Sequence, residues 1–444
     1  MIVIIKILQF VLSLSIIVIV HEFGHFLFAR LFKIRVEKFY LFFDPWFSIF
    51  KIKRGDTEYG VGWLPLGGYV KISGMIDESM DKEQMKQPPK PYEFRSKPAW
   101  QRLLIMTGGV LFNFILAVLL YVMVLFTWGK TYLPTDNVKY GIVTDSTGHA
   151  LGLMNGDRIV SIDGNHIEDF YEIRQDIVLN ERKNLRVERE GRIVDIPINN
   201  DYIRSVIKGS GRIEVRIPNN PLIIEDFQKI SPAREAGIMK GDLLRGIDGV
   251  SFDYVDQYKD YLNERKNTEI VINITRDGEE MDIPLVTTED AMIGVVRNIP
   301  AASEMFEFEV VRYSFFQSFP AGIAMGVETM QNYLKQFKII FSKDTKAYES
   351  LGGFITIGSI FPGVWDWQAF WNLTAFLSII LGIMNILPIP ALDGGHVLFL
   401  IFEVVTGRKP SDKFLEYAQI TGMILLLALL IFANGNDIIR LIRK

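Results

Sequence analysis

Four stretches of this chain are apolar over lengths that an aqueous fold does not tolerate, and they decide what it can fold into. Between Lys6 and Arg30 the one acidic or basic residue apart from two histidines is Glu22. Between Arg102 and Lys130 there is none, and the same holds from Asp366 to Asp393 and from Glu416 to Asp437. A helix needs about 20 mostly apolar residues to cross a bilayer, so each stretch is read as a transmembrane span. The expected fold class is a polytopic α-helical membrane protein with four spans. The first stretch is too long for a signal-peptide core and lacks a basic flank and a small-residue cleavage site, so it is expected to be retained.

The rest of the chain belongs in water. Of its 444 residues 49% are hydrophobic and 23% charged, a balance that suits a protein partly in lipid and partly outside it. The net charge of -4 carries no basic footprint, so nucleic acid is not an expected partner. With no cysteine, any metal must be held by His, Asp or Glu. Lys51, Lys53, Arg54, Lys86, Arg95 and Lys97 follow the first span, and Arg408, Lys409 and Lys413 separate the third from the fourth. The positive-inside rule assigns both loops to the cytoplasmic side, although Arg440, Arg443 and Lys444 run against it.

The segment from Lys130 to about Trp365 then lies outside, and it contains a repeat. "GLMNGDRIVSIDG" from Gly152 recurs as "GIMKGDLLRGIDG" from Gly237, "NERKN" at Asn180 recurs at Asn263, and "DIPI" at Asp195 recurs as "DIPL" at Asp282. Each copy has a short apolar strand ending in an Asp-Gly turn, a polar helical stretch and two further strands. These copies resemble the PDZ domain in its bacterial, circularly permuted form, the first more divergent than the second. That resemblance implies recognition of a peptide end or strand by β-augmentation. Beyond them, Phe315 to Phe341 is apolar but carries Glu328, Lys335 and Lys338, the pattern of an interfacial amphipathic helix rather than a fifth span.

Inside the first span stands "HEFGH", residues 21 to 25. On a helix, residues i and i+4 share a face, so His21 and His25 can present both imidazoles to one ion. Glu22, one position along, is placed to act as general base on a water at that ion. Ionisable groups inside a span are costly and mark function, and two of the chain's five histidines are spent here. A catalytic zinc commonly takes three protein ligands and leaves a position open. Spans one and three run in the same direction, so the end of span three, "MNILPIPALDGGH", where Pro388 and Pro390 interrupt the helix, comes level with the histidines and makes Asp393 the preferred third ligand. His396 and Glu403 remain open by spacing. Span two runs oppositely and brings Gly108, Gly109 and Asn113 to a similar level. His149 and His166, in or near the first repeat, are read as ordinary histidines.

"HEFGH" in span one, "NILPIPALDGGH" in span three and tandem PDZ-like repeats between spans two and three closely resemble the site-2 protease family of intramembrane zinc metalloproteases, most of all its bacterial RseP type. The resemblance covers nearly the whole chain. It implies a zinc metalloendopeptidase with His21, His25 and Asp393 as zinc ligands, Glu22 as catalytic base and Asn385 holding substrate. "EYGVGWLPLGGYVKISG", Glu58 to Gly74, resembles the family's membrane-associated β-hairpin; Gly67, Gly68 and, from span two, Asn113 are its further candidate substrate contacts. Two departures stand out: "GGVLFN" lacks the Gly-Pro that commonly precedes the asparagine, and "LGGFITI" near Leu351 has Gly353 where proline is usual.

The implied organisation is residues 1–129 with spans one and two, the zinc motif and the hairpin loop; a PDZ-like domain at 130–210 and another at 211–300; a periplasmic amphipathic connector at 301–365; and spans three and four at 366–444. The implied setting is the bacterial inner (cytoplasmic) membrane, multi-pass, with the PDZ-like domains on the periplasmic side and the active site near the cytoplasmic side. The implied partners are the lipid bilayer and single-span membrane substrates, anti-sigma factors whose outer portion is already trimmed or remnant signal peptides. A transporter lined by the same three residues would leave Glu22 without a role, and a silent PDZ scaffold gives no reason for the zinc set.

Overall fold

The computed structural model describes residues 1–75, 88–219, 222–298, 301–340 and 352–442. Lys86, Phe341, Leu351, Arg443 and Lys444 lie outside the described residues. The chain divides into two compact units: residues 1–130, 311–338 and those described from 352 onward form one, and residues 131–310 form most of the other.

Among the described residues of the first unit, four helices are long and apolar enough to cross a membrane: α1 (Ile2–Leu31), α2 (Ala99–Thr127), α6 (Trp367–Ile386) and most of α8 (Asp412–Ile442). The chain is an integral membrane protein with sheet domains. Helix α1 is arranged inside out. Its buried positions Gln9, Ser13, Ile17, His21 and His25 recur every four residues, while Ile4, Leu8, Leu12, Ile19, Phe23 and Leu27 are exposed on its outer face. Apolar side chains outward and polar ones inward is the pattern lipid selects. The polar stripe is tied to α6 by the Ser13 to Thr374 hydroxyl contact at 3.0 Å.

Helices α1 and α2 cross with almost no side chain between them. A Cβ on Gly24 would lie 2.3 Å from the Gly108 carbonyl oxygen, and one on Gly108 would lie 2.7 Å from that of Gly24. The two glycines fix the crossing point, as small residues do where membrane helices touch. The third apolar stretch is not one helix: α6 ends at Ile386, where Leu387 precedes Pro388 and is pushed out of the helical region. Asp393 therefore does not close span three but opens a new helix, α7 (Asp393–Thr406). The intervening turn holds Ala391 at φ +79°, and its N–H donates to Gln419 Oε1 of α8 at 3.1 Å. Cβ atoms on Gly394 or Gly395 would run into the carbonyls of Ile386 and Ile389, so the glycine pair lets α7 fold back on the end of α6. Gly353, where the resemblance leads one to expect proline, donates its N–H to Asp437 at 3.0 Å, a bond proline lacks.

The loop after α1 forms two long antiparallel strands, β1 (Val36–Arg54) and β2 (Thr57–Ile72). The hairpin is larger than the expected Glu58 to Gly74 segment, because β1 joins it despite Pro45. Lys38 to Leu41 of β1 is matched on one side by Gly68 to Lys71 and on the other by Glu58 to Val61. The Gly68 to Ile72 edge has no strand pairing on its other side among the described residues. Helix α5 (Phe315–Ile340) lies against α2, with Gly322 on Val122 and Gly326 near Val118.

The second unit has two hydrophobic cores, one for each repeat. In the first, β3 (Ile142–Thr144) pairs with β7 (Ile213–Val215), and β4 (Arg158–Ile162), β5 (Asn184–Arg189) and β6 (Arg192–Pro197) form a sheet flanked by α3 (Ile173–Leu179). In the second, β8 (Leu222–Phe227), β9 (Leu243–Ile247), β10 (Glu269–Arg276), β11 (Glu279–Val286) and β12 (Val295–Arg297) share a sheet in the order β11-β10-β9-β8-β12, with α4 (Val255–Asn263) beside it. Ile213 and Phe306 are buried in the first core, so that core draws on residues beyond 210 and beyond the second repeat.

The repeated sequence becomes a repeated device. Asp157 is buried and takes the Arg189 guanidinium in a two-point fork (2.7 and 2.8 Å) and the Met154 N–H (2.8 Å). Asp242 takes Arg276 (2.8 and 2.7 Å) and the Met239 N–H (2.7 Å). Each arginine also donates to a glycine carbonyl, Gly152 or Gly237. Forked, charge-assisted bonds of this kind are the strong ones. Burial pushes the Asp242 carboxyl up, but the Arg276 fork and the Met239 N–H more than offset it, so it titrates below its ordinary value of 3.8.

Candidate metal centre

Two turns of α1, the start of α7 and one face of α2 meet at a single point. His21 Nε2 and His25 Nε2 lie 3.3 Å apart, and Asp393 Oδ2 lies 3.2 Å from each. The histidines are buried and Asp393 half-buried. Gly109 makes room for them: a Cβ there would come within 2.4 Å of His25 Nε2 and 2.6 Å of His21 Cε1.

The outer ring nitrogens are engaged elsewhere. His25 Nδ1 lies 2.8 Å from the Ile105 carbonyl oxygen, which can only accept, so Nδ1 carries the proton and Nε2 presents a lone pair. His21 Nδ1 lies 3.1 Å from the side-chain amide of Asn113, and the Asn385 amide lies 3.3 Å from His21 Nε2.

Asp393 Oδ2 is buried and has no hydrogen-bond partner among the described residues. A buried carboxylate oxygen without a donor is expensive, and here it faces two imidazole nitrogens. Among the described residues, these three form the group of ligand-type side chains whose donor atoms all lie within 4.8 Å of one another. Two imidazoles and a carboxylate are a donor set zinc favours, and the orphaned oxygen is what a cation would satisfy. The residues fit the metal.

The site opens on a cavity of about 710 Å³. Glu22 lines it beside the ligand-type residues, and so do Lys38, Asp44, Gly68, Tyr69 and His396. Gly68 brings the open edge of β2 against α1: a Cβ there would lie 2.7 Å from Val18 Cγ1 and 3.5 Å from Glu22 Cγ. The neighbouring Gly67 takes φ +142° at the bend of β2, where a Cβ would meet the Phe43 ring. Tyr69 donates to Asp44 Oδ1 at 2.8 Å; burial first, then that accepting carboxylate, raise its pKa and keep it a donor.

The other candidates are held apart from the cluster. Glu403 pairs with Arg102 of α2 instead of reaching the histidines. His149 bonds to the Leu153 carbonyl, and His166 is exposed near Asp136. Asn113 is fully buried behind His21 and, like Asn385 and Gly67, does not line the cavity. The Ile105 carbonyl, Gly24 and the β1 residues Lys38 and Asp44 were not singled out from the sequence. The position of Gly24 inside "HEFGH", with Gly108 on the neighbouring span, was the available signal for a close crossing.

The model of peptidase family M50, the site-2 protease family, matches residues 9–429, and the chain belongs to that family. It is a zinc metalloprotease. It is 29% identical, over 98% of its length and 99% of theirs, to a protein of Neisseria meningitidis named "Putative zinc metalloprotease". It is 27% identical to the "Regulator of sigma E protease" of Haemophilus influenzae, over 98% of each chain. It is likewise 27% identical to the "Regulator of sigma-E protease RseP" of Salmonella typhimurium, over 97% of this chain and 98% of that one.

Proposed function

We propose that the chain cuts single-span membrane proteins within or beside the membrane, with His21, His25 and Asp393 holding zinc and Glu22 serving as general base. The observation that carries this reading is the buried Asp393 oxygen, without a hydrogen-bond partner among the described residues and 3.2 Å from two imidazole nitrogens. When bound by these residues, zinc would supply a Lewis acid for the scissile carbonyl and an attacking water of pKa lowered toward about 7. Glu22, on the cavity wall, takes that water's proton and returns it to the leaving amine. The Asn385 amide, beside His21, holds the substrate backbone.

A helical substrate hides its peptide bonds and must unwind to be cut. The open Gly68 to Ile72 edge on the cavity wall offers ladder hydrogen bonds to an added strand, which supports substrate capture in extended form. The Lys- and Arg-bearing loops after α1 and α7 support a cytoplasmic level for the site, with the sheet modules on the periplasmic side. The modules are read as PDZ domains. In the second, the edge strand β12 and helix α4 flank a groove of about 310 Å³ lined by Leu244, Tyr258, Leu262 and Ile293, suited to a peptide strand. They would admit substrates whose outer portion has been trimmed, the class to which anti-sigma factors and remnant signal peptides belong.

The test is cleavage of a single-span peptide in detergent by wild type and Glu22→Gln, with bound zinc measured in both. Zinc in both and cleavage by wild type alone is expected. Cleavage by both would remove Glu22 from its role, and zinc movement across vesicles without cleavage would favour a transporter.

A further inference from the structure

The sequence offered Asn113 as a substrate contact, yet its side chain is wholly enclosed and touches His21. Nδ2 lies 3.1 Å from His21 Nδ1, while Oδ1 is buried with no hydrogen-bond partner. The two ends of an amide fill nearly the same volume, so a half-turn about the last torsion exchanges them within the same enclosure. The choice between the two orientations follows from the other side of the imidazole. Nε2 points at Asp393 Oδ2 and His25 Nε2 and lies 3.3 Å from the Asn385 amide, and as a zinc ligand it presents a lone pair to the ion. A neutral ring with a lone pair on Nε2 carries its proton on Nδ1, and that proton needs an acceptor. Oδ1 of Asn113 is the acceptor that the half-turn brings within reach.

We propose that Asn113 is a positioning residue for the metal: its side-chain carbonyl accepts the Nδ1–H of His21, fixing the tautomer and ring orientation in which Nε2 faces the ion. His25 obtains the same support from a backbone carbonyl, that of Ile105. The two imidazoles are thus oriented by two acceptors of the same helix, α2, eight residues apart. The Asn113 backbone is itself pinned, since its carbonyl accepts from Ser378 Oγ of α6 at 2.8 Å. A single layer of α2 therefore couples the third span to the orientation of the first ligand.

The inference rests on the reading of His21 as a zinc ligand, and the test separates the two. Full-length wild type, His21→Ala, Asn113→Leu and Asn113→Asp are prepared in detergent. Zinc affinity is measured by competition with a chromophoric chelator, and the visible spectrum is recorded with Co²⁺ in place of zinc. Loss of an outer hydrogen bond to a metal-bound histidine costs about 10- to 100-fold in affinity, the drop expected for Asn113→Leu, with an altered Co²⁺ spectrum. Asn113→Asp keeps an acceptor at the same place and is expected to retain zinc affinity and the wild-type spectrum, whereas His21→Ala loses tight binding. Zinc affinity in Asn113→Leu equal to wild type overturns the inference while leaving the ligand reading intact. So does an equal loss in Asn113→Leu and Asn113→Asp, which would mark a packing role only. Unchanged affinity in His21→Ala overturns the ligand reading and this inference with it. If Asn113→Leu does not fold, Asn113→Ala takes its place against Asn113→Asp with the same two outcomes.

Discussion

The two units of this chain bury carboxylates in opposite ways. Asp157 and Asp242 in the sheet modules are partnered from within: each meets a forked guanidinium and a backbone N–H, so both oxygens accept. Asp393 in the membrane unit faces two imidazole nitrogens, and its Oδ2 has no hydrogen-bond partner among the described residues. One arrangement is complete as protein; the other has the donor set of a cation site. Buried charge by itself therefore says little about function, while the state of its partners says a great deal.

The contrast is broken or sharpened by substitution at the two kinds of site. The largest effect is expected at the base: Glu22→Gln lowers the cleavage rate by about 10²- to 10⁴-fold in a single-span peptide assay while zinc content stays near wild type. Asp393→Asn is next, with loss of both zinc and cleavage, read by metal analysis of the purified protein. Asp242→Asn should do the reverse. It destabilises the second sheet module by about 1–3 kcal/mol in denaturant unfolding, because the Arg276 guanidinium loses its carboxylate, and leaves zinc content unchanged. The same group sets an acid limit. Its folded pKa is depressed, so its stabilisation is complete above the ordinary value of 3.8 and is lost as pH falls through the lower folded value, which a pH series of unfolding midpoints would show. The smallest effect belongs to the exposed Lys240–Asp226 pair, where Lys240→Ala should leave the module's thermal midpoint where it was.

Much of this was legible in the sequence because the signals were local or repeated. An i, i+4 histidine pair in an apolar span whose one other acidic or basic residue is Glu22, and a doubled "GxMxGD" motif, need no tertiary information to be seen. The rest depended on direction or on distant chain. Pro388 and Pro390 marked an interruption of the third stretch, but the turn that makes Asp393 open α7 instead of ending α6 depends on how the chain folds back there. Strand β1 was missed because Pro45 and crowded aromatics give no alternation, although Lys38 to Leu41 is matched on both sides. Asn113 was placed at the right depth, but depth along a helix does not say whether a side chain faces a cavity or the back of a histidine. The first module's boundary could not be read because Ile213 and Phe306 return to its core from beyond residue 210.

The central claim is that the buried trio holds zinc, and X-ray absorption at the zinc edge of the full-length protein in detergent tests it most directly. The account predicts two imidazoles and oxygen donors at about 2.0–2.2 Å, falling to one imidazole in His21→Ala. A spectrum with no imidazole scattering, or one left unchanged by His21→Ala, would contradict it.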